Sequence, residues 1–262
     1  PTVENSERAL DEAAQLLVES RHVVALVGAG LSAESGVPTF RGPGGLWTKL
    51  GEPSMNGYQE FLGDPVRWWR DQQDQQADPD RTEFREAIER AEPNPGHYAL
   101  AALERMGILK MTITQNVDDL HARAGQEMLA EIHGNRTKLR CISCESRWPR
   151  DHFEGQDYPI YCPECRGLVK SDTVMFGEPI PRGMLDLCFS QTEMCDCMIV
   201  CGTSATVYPA ASFPQTVRER GGAFIEANPN PTPLSPIANV VLRGQNGQVL
   251  PALVERVKVL KG

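Results

Sequence analysis

Four of the eight cysteines in this chain form two Cys-x-x-Cys pairs, Cys141/Cys144 and Cys162/Cys165, with seventeen residues between them. Each pair can present two thiolates on one knuckle, and two knuckles complete the tetrahedron that Zn²⁺ prefers. Two redox-active pairs or a chance arrangement are the alternatives. Because four protein ligands leave no open coordination position, the spacing predicts a structural zinc site and not a catalytic one.

Short β-branched runs alternate with segments of helical periodicity along most of the chain. The run at 23–27 is typical of a buried parallel strand, and apolar residues at helical spacing precede it at 6–20. This alternation predicts an α/β fold with a parallel sheet. The further strands are predicted at 110–114, 198–201, 222–227 and 240–242, and the further helices at 97–106, 212–219 and 250–260.

Composition narrows the class of protein. Over 262 residues, 40% are hydrophobic and 23% are charged, which is ordinary for a globular protein. The net charge of -9 argues against direct binding to nucleic acid or to an anionic membrane. No apolar run is long enough to span a bilayer, and no secretory signal is expected. Paired Cys-x-x-Cys motifs without such a signal favour a reducing compartment, so we expect a cytoplasmic protein, and we expect a monomer.

A glycine motif follows the first predicted strand. Gly28-Ala29-Gly30-Leu31-Ser32-Ala33 fits G-x-G-x-x-A, in which glycines let the backbone approach a pyrophosphate at a helix N-terminus. A tight turn without a ligand is the alternative. The acidic residue that binds the ribose about 20 residues later in dehydrogenases is missing, because that region is the Pro/Gly-rich Arg41-Gly-Pro-Gly-Gly. A dinucleotide at this motif therefore needs other residues to hold its ribose.

Two further groups of polar residues are candidates for chemistry. Gln115, Asn116 and Asp118 follow the strand predicted at 110–114, and the ends of parallel strands are where an α/β sheet places its ligand groups. Helix capping by Asn116 or Asp118 is the alternative. His133 lies just before the cysteine pairs, and a structural role is its alternative. A neutral histidine beside a ribose hydroxyl would be a suitable general base near pH 7.

Several segments of the chain occur in one known order: residues 28–41, 114–118, His133-Gly134, the two Cys-x-x-Cys pairs, 174–178, 202–204 and Asn228. Together these segments resemble the sirtuins, a family of NAD-dependent protein lysine deacylases. The resemblance runs from about residue 20 to residue 255.

The resemblance implies a Rossmann-like parallel-sheet domain that binds NAD, formed by residues 1–41, 96–134 and 174–262. A smaller domain would consist of a helical insertion at 42–95 and a zinc-binding, ribbon-like insertion at 135–173. The cleft between the two domains would hold NAD and an acyl-lysine peptide. The expected products are nicotinamide, O-acyl-ADP-ribose and a free lysine.

The resemblance also implies the roles of individual residues. His133 would be the general base, with Asn116 and Asp118 beside it at the nicotinamide ribose. Val174, Phe176, Gly177 and Glu178 would form the peptide channel. The residues implied to bind the cofactor are Gly28, Ala29, Gly30, Ser32, Phe40, Arg41, Gln115, Asn116, Asp118, Gly202, Thr203, Ser204, Asn228, Asn246 and Gly247.

The acyl group is the open part of this interpretation. Residues 33–39 resemble the sirtuin branch that removes malonyl, succinyl and glutaryl groups, which uses a Tyr-x-x-Arg pair to bind the acyl carboxylate. Anchored on 65–69, those two positions are Gln72 and Gln75 in this chain. Two neutral amides cannot replace a charged, bidentate clamp. We therefore expect removal of neutral acyl groups, acetyl first.

Other activities stay open from the sequence. Arg67 or Arg70 could supply a cation for a succinyl or malonyl group, and apolar side chains such as Met175 could accommodate a long-chain acyl group. Mono-ADP-ribosyl transfer would use the same cleavage of NAD with a protein nucleophile. A binding module without turnover is a further alternative, which the presence of His133 and Asn116 disfavours.

Overall fold

The computed structural model describes residues 3–39, 45–75 and 79–262, without the side chains of 3–6, 50, 75, 79–81 and 84. The strands are β1 (Val23–Val27), β2 (Leu109–Thr114), β3 (Leu129–Glu131), β4 (Lys138–Cys141), β5 (Arg147–Pro149), β6 (Val169–Ser171), β7 (Cys197–Cys201), β8 (Ala223–Ala227) and β9 (Val240–Leu242). The helices are α1 (Val3–Glu19), α2 (Ala29–Ala33), α3 (Leu46–Leu50), α4 (Gly57–Gly63), α5 (Pro65–Gln75), α6 (Pro79–Arg90), α7 (Pro95–Arg105), α8 (Leu120–Arg123), α9 (Arg182–Met194), α10 (Phe213–Glu219) and α11 (Asn246–Lys261).

Six parallel strands form the large sheet in the order β3-β2-β1-β7-β8-β9. The two central strands, β1 and β7, are apolar and buried along their whole length, as a sheet covered by helices on both faces requires. The predicted α/β fold with a Rossmann-like parallel sheet is thereby confirmed.

Alternate residues of β1 pack against two different layers of helices. Val23, Ala25 and Val27 pack with residues of α1, α7 and α11 in one core. Val24 and Leu26 face the other core, to which α9 and α10 contribute. This division follows from the period of two in a strand, since successive side chains point to opposite faces.

A second, antiparallel sheet of order β5-β4-β6 carries the cysteine pairs. Its core is small and includes Leu139, Val169 and two of the cysteines. Trp69 of α5 belongs to the same core and stacks on Tyr158 at a centroid distance of 5.1 Å. The amide of Gln73 also donates to the Tyr158 hydroxyl at 2.7 Å. The helical segment and the cysteine-bearing segment therefore pack as one unit.

The last helix differs from its prediction. It begins at Asn246 and not at residue 250, and Pro251 lies inside it. The Glu34 carboxylate accepts the main-chain N–H groups of Asn246 and Gly247 at 2.6 and 2.7 Å. These two donors have no partner within the helix, so a carboxylate from a distant segment fixes where α11 begins. No helix in the described part of the chain is both long and apolar enough to cross a membrane.

Candidate active site

The glycine motif after β1 packs against the turn after β7. The N–H of Gly30 donates to the Gly202 carbonyl at 2.7 Å. A Cβ atom on Gly28 or Gly30 would lie 2.7 or 2.8 Å from that same carbonyl oxygen. The Gly202 backbone has a φ of 62°, and a Cβ atom there would lie 2.3 Å from the Leu31 nitrogen. These glycines are therefore required by the contact between two loops.

Side chains join the ends of neighbouring strands at this edge of the sheet. The Gln115 amide, after β2, donates to the Thr203 hydroxyl at 3.1 Å. The Asn228 amide, after β8, donates to the Thr203 carbonyl at 3.0 Å. Ser204 is exposed beside them, and its hydroxyl pairs with that of Thr206. The carboxyl edge thus brings together residues from the segments after β2, β7 and β8, as a parallel sheet predicts.

Asn116 and Asp118 are both buried, but they have different partners. The Asn116 amide donates to the Gly28 carbonyl at 3.0 Å and to the Ser32 hydroxyl at 3.1 Å. One Asp118 carboxylate oxygen accepts the N–H of Leu120 at 3.0 Å, at the start of α8. Asn116 therefore connects the second strand end to the glycine motif. Asp118 makes a local Asx-type turn ahead of α8, whose N-cap is Asp119.

His133 follows β3 at the same edge. Its Nδ1 atom lies 3.2 Å from the Gln115 carbonyl oxygen. Because a carbonyl only accepts, Nδ1 carries the proton and the lone pair is on Nε2. Burial lowers the pKa of His133 below its ordinary value, against the opposing effect of the Gln115 carbonyl. The imidazole is therefore neutral near pH 7, with a lone pair that can accept a proton.

Asn246 is the predicted cofactor residue with the most unusual surroundings. It is fully buried, and among the described residues neither polar atom of its amide has a hydrogen-bond partner. An unpaired buried amide is costly, so it fits a site that receives a polar ligand or an ordered water. Together with the neutral donors at the strand ends, this arrangement fits the hydroxyls and amides of NAD. Phe40 and Arg41, also predicted here, lie outside the described residues.

The sequence reasoning missed an ion pair beside Asn228. Arg243 follows β9, and its guanidinium is 2.5 Å from the carboxylate of Glu226, which is buried in β8. The same nitrogen donates to the carbonyls of Asn228 and Asn230, both at 3.1 Å. This pair shapes the loop that carries Asn228. Two signals could have found it: a lone acid in an apolar strand, and an arginine directly after the next strand.

All four cysteines of the two motifs come together at one end of the small sheet. Their sulfur atoms lie within 4.8 Å of one another. The Cys141–Cys165 and Cys144–Cys162 sulfur distances are 3.5 and 3.6 Å. Four thiols at this spacing are the donor set of a structural zinc site. The remaining cysteines, Cys188, Cys195, Cys197 and Cys201, are buried, which raises the pKa of each thiol to about 12.

The segment predicted as the peptide channel lies beside the small sheet. The N–H of Val174 donates to the His133 carbonyl at 2.9 Å, so this segment starts next to the candidate base. Phe176 packs edge-on against Trp47 at 5.3 Å. Gly177 has a φ of 76° and lies so close to the Met55 carbonyl that a Cβ atom would be 2.7 Å from it. The side chain of Glu178 is buried, and its carboxylate faces Arg140 and Lys170.

The two glutamines predicted to face the acyl group lie on α5. Gln72 is half-buried, and the side chain of Gln75 lies outside the described residues. Arg67, one of the alternative cations, has a side chain that is 77% exposed and is 3.6 Å from Asp71 on the same helix. This arginine points into solvent and has an acidic neighbour, which weighs against its use as a carboxylate clamp.

Comparison with known proteins agrees with this arrangement. The Sir2 family matches residues 28–209. The chain is 44% identical over 245 residues to NAD-dependent protein deacylase 2 of Pyrobaculum aerophilum, covering 94% of each protein. It is also 44% identical over 256 residues to the NAD-dependent protein deacylase of Thermococcus kodakarensis, covering 95% of this chain and 96% of that one.

Solved structures are similar over nearly the whole chain. A crystal structure of a Sir2 homolog–NAD complex is 42% identical, with a TM-score of 0.75, and covers 96% of this chain and 95% of that one. Sir2Af2 bound to a myristoylated histone peptide is 35% identical, with a TM-score of 0.68 and coverage of 97% and 98%. A Sir2–p53 peptide–NAD⁺ structure is 32% identical, with a TM-score of 0.73 and coverage of 95% and 98%.

Proposed function

This chain belongs to the Sir2 family and is an NAD-dependent protein deacylase; we propose that acetyl-lysine in proteins or peptides is its main substrate. The neutral His133 at the carboxyl edge of the large sheet is the observation that carries the proposed residue roles. The lack of a charged pair at Gln72 and Gln75 carries the choice of acyl group. The related structures with histone and p53 peptides support a peptide substrate.

In the proposed reaction His133 acts as the general base, and its Nε2 atom takes the proton of a ribose hydroxyl. The Gln115 carbonyl holds Nδ1 and so keeps the imidazole in the tautomer that this step needs. The Asn116 amide is held by the Gly28 carbonyl and the Ser32 hydroxyl, and we infer that it contacts the nicotinamide ribose together with His133. When bound, NAD supplies a ribose carbon from which nicotinamide departs and to whose sugar the acyl group is transferred.

The proposed domain roles follow from the same interpretation. Residues 1–41, 96–134 and 174–262 bind NAD, and residues 42–95 and 135–173 form the small domain that covers the cleft. The shared core of Trp69 and Tyr158 supports this division. Cys141, Cys144, Cys162 and Cys165 hold zinc in a structural role, because four thiolates leave no position for a substrate.

We also propose that the protein acts in the cytoplasm and as a monomer. None of the eight cysteines, all of which lie in the described part of the chain, forms a disulfide, which suits a reducing compartment. Light scattering on the purified protein tests the second part, and a mass near twice 28.9 kDa would contradict it.

Mass spectrometry of one lysine peptide tests the acyl preference. The peptide carries acetyl, succinyl or myristoyl, and each form is incubated with the zinc-loaded protein with and without NAD. We expect NAD-dependent loss of acetyl, with succinyl left in place. Preferential loss of succinyl would contradict the proposed preference, and preferential loss of myristoyl would favour the long-chain alternative. Nicotinamide release that does not depend on acyl-lysine would favour ADP-ribosyl transfer.

A matched variant sharpens this test. Gln72→Tyr combined with Gln75→Arg introduces a phenol and a guanidinium at the two acyl-facing positions. We expect desuccinylation to rise by about tenfold or more, the factor that 1.4 kcal/mol of added binding gives. Gln73→Arg is the control, because Gln73 lies on the same helix but bonds to Tyr158 of the cysteine-bearing segment. Equal desuccinylation by both variants would show that added charge alone, and not these two positions, sets the preference.

A further inference from the structure

Lys170 is a fully buried lysine in β6, a position where a lysine is rare without a partner. Its ammonium donates to the carbonyls of Ser171 and Thr173 at 2.5 and 2.9 Å. It also lies 3.0 Å from the Glu178 carboxylate. The lysine therefore connects the small sheet to the segment that follows it.

Glu178 uses both oxygens of its carboxylate to hold that segment. One oxygen accepts from the Arg140 guanidinium at 2.5 Å. The other faces Lys170 and also accepts the main-chain N–H of Met175 at 2.8 Å. The Glu178 N–H in turn donates to the Met175 carbonyl at 3.0 Å. The turn from Met175 to Glu178 is thus closed by a charged side chain as well as by its own backbone.

The same charged network extends to the segment that follows His133. Arg140 also pairs with Asp172 at 3.1 Å, and Asp172 accepts the main-chain N–H of Asn135 at 2.7 Å. Asn135 lies two residues after His133, whose carbonyl accepts from Val174. One buried network therefore fixes the segment after β3 and the segment after β6 relative to each other.

The turn leaves main-chain groups available. Within the described residues, the amides of Phe176 and Gly177 form no main-chain hydrogen bond. An extended peptide that adds to a sheet edge needs such free groups, held at a fixed position. Because this turn has no regular secondary structure of its own, side chains must supply that rigidity.

We propose that Glu178 and Lys170 are positioning residues for the acyl-lysine peptide: they hold the turn from Met175 to Glu178 so that Phe176 and Gly177 present their main chain to the substrate. This role rests on the proposed function, in which residues 174–178 form the peptide channel. Neither side chain touches the substrate, and both act through the backbone of the turn. Glu178 therefore positions the turn, whereas the sequence implied that it lines the peptide channel.

The test compares Glu178→Gln with Glu104→Gln in the zinc-loaded full chain. The amide that replaces the Glu178 carboxylate would turn an N–H group toward Arg140 or Lys170, donor against donor, and so displace the turn. We expect kcat/KM for the acetyl peptide to fall about ten- to hundredfold, chiefly through KM, as small misplacements of a binding group cause. The KM for NAD and the calorimetric Kd for ADP-ribose should stay within about twofold, because the strand ends are untouched.

Glu104 is a suitable control because its carboxylate accepts the main-chain N–H groups of Glu127 and Met128 at 2.9 and 3.4 Å. Like Glu178, it holds a loop by accepting main-chain N–H groups. This loop lies before β3, at the edge of the large sheet opposite to the candidate site. Glu104→Gln should leave both KM values near wild type. An equal rise of peptide KM in both variants would overturn the proposal, and so would an unchanged peptide KM in Glu178→Gln.

A double variant covers the case in which Glu178→Gln folds poorly. Lys170→Met with Glu178→Gln removes one buried charge of each sign, so it should recover Tm relative to the single variant. Its peptide KM should stay raised, and recovery of both quantities would overturn the positioning role. The wild type tests the proposed function separately: no NAD-dependent loss of any acyl group would refute that function, and the positioning role with it.

Discussion

Two groups of residues around the candidate site hold their positions by different chemistry. On the side of the large sheet, Gln115, Asn116 and His133 are neutral and bond to hydroxyls or to backbone carbonyls. The side next to the small sheet uses buried charges, with Arg140 between Asp172 and Glu178. Neutral groups can exchange partners with a ligand at low cost, whereas buried charges must keep theirs. The first side is suited to binding, and the second to holding a shape.

The largest effect is expected at the zinc site of the small domain, which lies on the charged side. Cys162→Ser should release zinc and unfold the small domain, because structural zinc contributes on the order of 10 kcal/mol to the folding of small modules. Metal content by mass spectrometry and a thermal melt measure the two effects. Cys188→Ala, which removes a buried thiol from the core between the large sheet and α9, should keep one zinc per chain. Unchanged zinc and Tm in Cys162→Ser would contradict the assigned site.

On the neutral side, His133→Ala should lower kcat for deacetylation by about a hundredfold to ten-thousandfold, the usual contribution of a general base. ADP-ribose binding and Tm should change little, since His133 makes a single hydrogen bond to a carbonyl. His152→Ala, an exposed histidine of the small domain, serves as the control. Near-normal turnover by His133→Ala would disprove the assignment of the base.

Asp172→Asn tests the charged network as a structural element. It leaves Arg140 and Arg147 facing a neutral amide inside the protein, and removing one partner of a buried pair costs about 3–5 kcal/mol. Urea unfolding gives the loss of stability directly. Asp151→Asn, on the surface of the small domain, should cost less than about 0.5 kcal/mol. Equal losses in the two variants would mean that the network contributes no more than a surface charge.

The smallest expected effect is a dependence of stability on pH. Burial, with a smaller contribution from the neighbouring His121, lowers the pKa of His97 to about 3. In the unfolded chain this histidine binds a proton near pH 6.5, whereas the folded chain excludes it down to about pH 3. Stability should therefore fall as pH drops below 6.5, by about 1.4 kcal/mol per pH unit for this group.

Urea unfolding between pH 7 and pH 5 measures that slope. His97→Gln should lower the slope by the contribution of one proton, about 1.4 kcal/mol per pH unit. This difference distinguishes the histidine from carboxylates that titrate in the same pH range. A slope that is the same in the variant and in the wild type would show that His97 is not the group responsible. The burial of the neutral His97 imidazole would then need another interpretation.

The sequence predicted the structure correctly where a residue pattern is typical of a single structural role. The apolar strands at 23–27 and 240–242 agree with the structure in both bounds, since buried parallel strands leave little choice of composition. The family resemblance is confirmed as well. The roles of individual site residues, by contrast, stay predictions.

What sequence reasoning missed shares one cause. Lys170 and Arg140 are buried, and so is the side chain of Glu178. Charged residues are exposed in most proteins, so no local pattern in the sequence marks these as buried. Their partners are assembled by the fold from segments that are far apart in the chain. The early start of α11 was missed for the same reason, because Glu34 caps it from another part of the sequence.

The position of β1 in the large sheet has a consequence for synthesis of the chain. Val23 to Val27 pair on one side with Leu109 to Thr114 and on the other with Cys197 to Cys201. A ribosome releases residues in order, so the most apolar strand of the protein waits with one edge unpaired until β7 has emerged. An exposed apolar edge is a template for association with other chains. We therefore expect the nascent chain to be most prone to such association in the interval before β7 emerges.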